Sequence, residues 1–127
     1  MPIQLQKRHG TAFITYLVRH VLTKELPASS GLGSGNSVRQ QVATRLTVAF
    51  SLHLQGQPIT ARALLDAGCG SINKNHATLS YLTDIGVFRR TQELAAHGSG
   101  WAHHYHFTDE FTDRIAKLHN GIGVDEV

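Results

Sequence analysis

The sequence is poor in cysteine, in charge and in long apolar runs, and each shortage closes off a class of protein. Cys69 is the only cysteine. That excludes a disulfide framework and a zinc finger built on paired cysteines, and a single thiol suits a reducing compartment. Charged residues make up 17% of the chain, too few for a disordered acidic or basic tail protein. The first apolar stretch, Ala12 to Leu22, contains Arg19 and His20 and is too short and too charged to cross a bilayer. No secretory leader is expected, because Pro27-Ala28-Ser29-Ser30 imitates a cleavage site only weakly. A phosphate loop, a dinucleotide fingerprint and a zinc-protease motif are missing. Cys69 and His76 stand seven apart across a helix start with no third residue to orient them. Catalysis is therefore not expected, and neither is a cofactor.

What is present is enough apolar residue, 41% of 127, for one domain with a true core. The charge is unevenly spread. Residues 1–60 carry Lys7, Arg8, Arg19, Lys24, Arg39 and Arg45 against Glu25 alone, whereas residues 108–127 carry five acids against Arg114 and Lys117. A basic end and an acidic end can steer a ligand or guide the packing of two subunits.

Apolar spacing predicts a helix over 11–26, with Phe13, Leu17, Val18, Val21, Leu22 and Leu26 on a wide stripe and Pro27 ending it. Residues 28–36, rich in Gly and Ser, read as a flexible connection. Ser37 is the expected cap of a helix over 38–54, whose apolar face is Val38, Val42, Leu46, Ala49 and Phe50, with Arg39 and Arg45 pointing elsewhere. Gly56-Gln57-Pro58 stops it. Ile59 reads as a very short strand, and Thr60 as the cap of a brief helix over 61–67. Gly68-Cys69-Gly70 is a tight turn. Ser71 caps a helix over 72–85, with Ile72, Leu79 and Leu82 inward, Asn75 close to that stripe, and Gly86 as its terminator. Strands follow over 87–94 and 101–107, with Trp101, Tyr105 and Phe107 sharing a face. Thr108 caps a last helix over 109–119, with Phe111, Ile115 and Leu118 as its stripe and Asp109, Glu110 and Asp113 at its positive end.

The expected fold is mainly α with a small β-hairpin. The order of elements resembles the winged helix-turn-helix family. The likeness is carried by Ile59, the Leu64-Leu65 pair, the turn Gly68 to Ser71, Leu79 with Leu82, and Gly86-Val87-Phe88-Arg89. It covers about residues 37–119, and the extra helices at both ends resemble the dimeric regulators of the MarR type. The resemblance implies an N-terminal helix and connection over 1–36, a winged core over 37–107, and a C-terminal helix and tail over 108–127. It further implies a homodimer joined by the terminal helices through Phe13, Leu17, Val21, Phe111, Ile115 and Leu118, acting on double-stranded DNA in a cytoplasm of prokaryotic, plasmid or phage origin, with no membrane.

A helix fits the major groove, where each base pair shows its own pattern of donors and acceptors. Opposite Ile72, Leu79 and Leu82 the helix over 72–85 carries Asn73, Lys74, Ala77 and Tyr81, with Thr78 and Ser80 flanking. Asn reads adenine edges, Ala and Thr meet thymine methyls, and Ser71 stands where helix N–H groups favour a phosphate. The DNA-binding candidates are therefore Ser71, Asn73, Lys74, Ala77, Thr78 and Tyr81, with Arg89 and Arg90 at the base of the hairpin and His97 at its tip, where no Arg or Lys stands. Arg39, Arg45 and Arg62 are further phosphate candidates.

Two rivals stand beside this reading. Residues 58–107 hold four Lys or Arg against three acids, a weak charge balance that favours a protein-contact module of the same fold. His103, His104 and His106 lie within four residues, and a metal- or ligand-sensing repressor would use them. No second cluster is spaced to complete a zinc site. Cys69, just before a helix start, is a conceivable redox switch, against the simpler reading of a small turn residue beside the core.

Overall fold

A computed structural model describes residues 4–94 and 100–121. The N-terminal helix α1, Gly10–Leu17, continues into a wider turn of π type over Val18–Leu22. Helix α2 is Asn36–Leu54, α3 is Ala61–Asp66 and α4 is Ile72–Asp84. Strands β1, Phe88–Leu94, and β2, Trp101–Phe107, form one antiparallel hairpin, and α5, Asp109–Gly121, follows. The protein is thus mainly helical with one two-stranded hairpin. Ile59 adds a single bridge to it, its carbonyl accepting from the Tyr105 N–H at 2.9 Å.

Short side chains set the element starts. Thr60 Oγ1 accepts from the Ala63 N–H and Ser71 Oγ from the Lys74 N–H, so each caps its helix. Thr108 does more. Its hydroxyl accepts from the Phe111 N–H at 3.0 Å and donates to the Gly86 carbonyl at 2.6 Å. It joins the end of α4 to the start of α5. At Gly86 (φ 87°), the Gly86 N–H reaches the Thr83 carbonyl and the Val87 N–H the Leu82 carbonyl. This closes α4 in the left-handed turn that glycine takes most easily.

Two boundaries differ from expectation. The first helix stops before residue 26 because the Thr23 hydroxyl donates back to the Val18 and Arg19 carbonyls at 2.9 and 3.0 Å, sealing the last turn. Ser37 is not a cap: α2 starts two residues earlier than expected, at Asn36, behind Gly35 with φ 100°. The Ser37 hydroxyl instead accepts from Gln41 Nε2. Residues 28–36, expected as a plain connection, contain a helical turn at Ala28–Ser30, and Leu32 packs partly against the core.

The core is one cluster that draws on every helix and on both strands. Phe13 is stacked on Phe50 (4.4 Å between centroids) and meets Phe107 and Phe111 edge-on at 6.4 and 6.2 Å. Tyr16 also meets Phe111 edge-on, at 5.0 Å. These contacts cover the side chains expected at the dimer surface. Phe13, Leu17, Val21, Phe111 and Ile115 are buried within one chain, and Leu118 packs against the same core. An amphipathic stripe must be covered, but its spacing does not say by which chain.

His9 is expected to make the stability of the fold depend on pH. It is 1% exposed, its Nδ1 accepts the Gln6 backbone N–H at 2.9 Å, and its ring edge meets His119. Burial, then Arg8 and His119, hold its pKa below the ordinary 6.5. Burial is also the leading cause of the lowered pKa of His20 and His106. The unfolded chain therefore takes up protons before the folded one. Stability should be full above about pH 6.5 and fall as pH drops through it. A melting series from about pH 8 to about pH 5.5 checks this. His9→Gln, which keeps an acceptor but does not titrate, should flatten the slope. A melting temperature constant over that range would refute the account.

Candidate functional site

The turn Gly68-Cys69-Gly70 and helix α4 are held by one buried side chain. Asn75 has no exposed surface, and its amide bonds to three groups inside the fold. Its Nδ2 donates to the Ala61 and Cys69 carbonyls at 3.2 and 3.1 Å, and its Oδ1 accepts from Arg45 Nε at 2.7 Å. The start of α3, the turn, α4 and α2 are thereby tied at one point. Arg45 does not point away from the core as expected. It is 4% exposed and its Nη1 donates to the Gln41 carbonyl at 3.2 Å, so it is a buried side chain and not a freely exposed surface cation. Cys69 is buried in the turn, which fits the small turn residue rather than a reactive thiol.

With Asn75 inside, the buried face of α4 is Asn75, Thr78, Leu79 and Leu82. Thr78 is 4% exposed and cannot reach a groove. Its place three residues after Asn75 and four before Leu82 puts it on the inner face at 100° per residue. Tyr81 is half-buried and packs against the core, and burial raises its pKa. Ser71, Asn73, Lys74 and Ala77 are exposed as expected, and His76 joins them. Sequence reasoning missed His76 because it centred the inner face on Ile72, whereas Asn75 turns that face and brings His76 outward. One edge of the exposed face borders a groove of about 280 Å³, walled opposite by Leu32, Val38 and Gln41.

Arg89 and Arg90 are both exposed, but consecutive strand residues point to opposite faces. Arg90 is paired with Tyr105 and Arg89 with His106, so they do not form one patch. Neither arginine nor Lys74 is in an ion pair among the described residues. Arg39 is taken up by Glu25 at 2.6 Å and by Asn36, and Arg62 by Asp66 at 3.1 Å. His97 lies outside the described residues.

The histidines divide in the same way. His104 and His106 share a face, and His103 lies on the other, with Gln92. Glu93 stands 3.5 Å from both His104 Nδ1 and His106 Nε2. The Thr91 hydroxyl donates to Glu93 at 2.7 Å and lies 2.9 Å from His106 Nε2. That hydroxyl, with the two histidines, holds the Glu93 carboxyl below its usual range. Among the described residues no group of three His, Cys, Asp or Glu side chains is spaced to hold a metal ion. The last described pair of the hairpin is apolar instead: Leu94 and Trp101 face each other across the strands, 60% and 66% exposed. No helix among the described residues is long and apolar enough to cross a membrane. Compared with known proteins, the chain matches no family model, no curated protein and no solved structure.

Proposed function

We propose that the chain is a sequence-specific double-stranded DNA-binding protein of winged helix-turn-helix type, acting as a homodimeric transcription regulator. One observation carries this reading: the N-terminal half of α4 is outward, capped and short-chained, while Asn75 locks the inner side of the same helix to three other segments. A helix offered in this way inserts its first turns into a major groove. Asn73 reads a base edge, Ala77 meets a thymine methyl, and Lys74, Arg89 and Arg90, which lack carboxylate partners, supply phosphate contacts. Asp84, the exposed acid of α4, stands at the far end of the helix, away from the phosphates. In a dimer, two such helices enter successive grooves about 34 Å apart on a pseudo-palindromic site.

Fluorescence anisotropy against random and genomic duplexes over a salt series tests the reading. Affinity should fall steeply with salt as counterions are released, and Lys74→Ala should lower the log–log slope by about one. Because Arg89 and Arg90 lie on opposite faces, only the one that faces the duplex should do the same, and Arg89→Ala and Arg90→Ala made separately tell which. Asn73→Ala should lose about 1–3 kcal/mol on the selected site and little on random duplex. A folded protein that binds no duplex at low salt would sink the proposal. A second reading, protein contact, is favoured by the exposed Leu94 and Trp101 pair, because an exposed aromatic with an aliphatic neighbour suits a partner surface.

A further inference from the structure

Beside α4 lies a cleft of about 400 Å³ between the first half of α2 and the Gly68–Gly70 turn. Its lining contains two cations, Arg45 and Lys74, and no carboxylate. Arg45 is the unusual one. Its guanidinium is almost wholly buried, yet its partners, Asn75 Oδ1 and the Gln41 carbonyl, are both neutral. No carboxylate forms an ion pair with it among the described residues. A buried charge with no counter-charge is costly, and natural proteins rarely leave one so. Its third nitrogen, Nη2, has no hydrogen-bond partner and is not among the sealed-off polar atoms, so it is open on the cleft side.

Gly70 keeps that nitrogen uncovered. A Cβ at this position would lie 2.5 Å from Arg45 Nη2, so any other residue would displace the guanidinium or cover its edge. The rim adds neutral donors: Ser37, Gln40 and Thr44 line the same cleft. We propose that this cleft binds an oxyanion, a phosphate or carboxylate group carried on a small molecule, with Arg45 Nη2 as its fixed donor and Lys74 as a second positive charge. Charge-assisted bonds from a pre-set guanidinium are the strong kind. The volume lies within the range of about 300–1,000 Å³ of small-ligand sites, which leaves room for an organic part beside the anionic group. The same chemistry is carried by a backbone phosphate of a duplex, and Lys74 borders both this cleft and the outward face of α4.

The site does not depend on the DNA-binding reading, and its test begins without DNA. Inorganic phosphate is titrated calorimetrically into the protein, with chloride at equal ionic strength as the control. Thr44, exposed on α2, gives the decisive pair of variants. Thr44→Glu supplies Arg45 with an internal carboxylate, and Thr44→Gln has the same reach without charge. Saturable one-to-one binding is expected for the wild type and for Thr44→Gln, and weakening of about tenfold or more for a folded Thr44→Glu. If Thr44→Glu does not fold, Lys74→Met, at an exposed position, takes its place and should weaken phosphate severalfold. Absence of saturable binding, or equal binding by a folded Thr44→Glu, would overturn the proposal. Competition between phosphate and duplex that persists in Lys74→Met, where the shared cation is gone, would identify a backbone phosphate as the occupant. Simultaneous binding would identify a separate small anion, and both results uphold the oxyanion site.

Discussion

Asn75→Ala is expected to cost about 3–5 kcal/mol of folding stability, a large part of the roughly 5–15 kcal/mol that a domain of this size has. The loss has three sources. The Ala61 and Cys69 carbonyls lose their donor in a place with no exposed surface, and Arg45 Nε loses its acceptor. Each buried polar group left unpaired costs about 1–3 kcal/mol, more where the group is charged. Urea unfolding measures it, with the midpoint falling by about 2 M at an ordinary slope. Asn75→Asp separates the contributions. It keeps an acceptor for Arg45, and adds a counter-charge, but turns a carboxylate oxygen toward the two carbonyls. Its stability should lie between wild type and the alanine variant. A loss under about 1 kcal/mol for Asn75→Ala would show that the α3–α4 corner is held by its apolar contacts alone.

Phe13→Ala should be comparably severe, at about 3–5 kcal/mol, because it empties the space between Phe50, Phe107 and Phe111. Its value as a test lies in where the damage is felt. If α1 were an arm laid on a finished domain, the variant would unfold locally and leave the rest protected. With Phe13 inside the common core, amide exchange at Leu64 and Leu79, which lie outside α1 and are fully buried, should accelerate together with that of α1. Unchanged protection at Leu64 and Leu79 would restore the picture of a separable N-terminal element.

Much of the architecture could be read from local chemistry. Thr60, Ser71 and Thr108 cap their helices, and Gly86 ends α4, because a hydroxyl or a glycine at such a position acts on backbone groups only a few residues away. What escaped was non-local. Arg45 bonds to Asn75 thirty residues later, so a window centred on α2 treats it as a surface cation. Its spacing from Val42 and Ala49 does place it on the buried stripe, and that was the available signal. Thr78 followed the same error: spacing sets Asn75 close to the inner stripe of α4, but a hydrophobic count does not centre the face on an asparagine, and Thr78 then falls at its flank. Periodicity also left open which chain covers the stripes of the terminal helices, and the answer is a ring cluster within one chain.

That ring cluster has a consequence for synthesis. Phe13 and Tyr16 are completed by Phe107 and Phe111, which the ribosome delivers about ninety residues later. Until α5 has cleared the exit tunnel, the emerging chain holds an apolar α1 whose cover is incomplete, with Phe50 of α2 in place and Phe107 and Phe111 still missing. Its core cannot close progressively, and a nascent chain stalled before residue 107 should be a substrate for ribosome-bound chaperones, whereas one stalled in an unstructured extension fused after residue 127, with α5 outside the tunnel, should not.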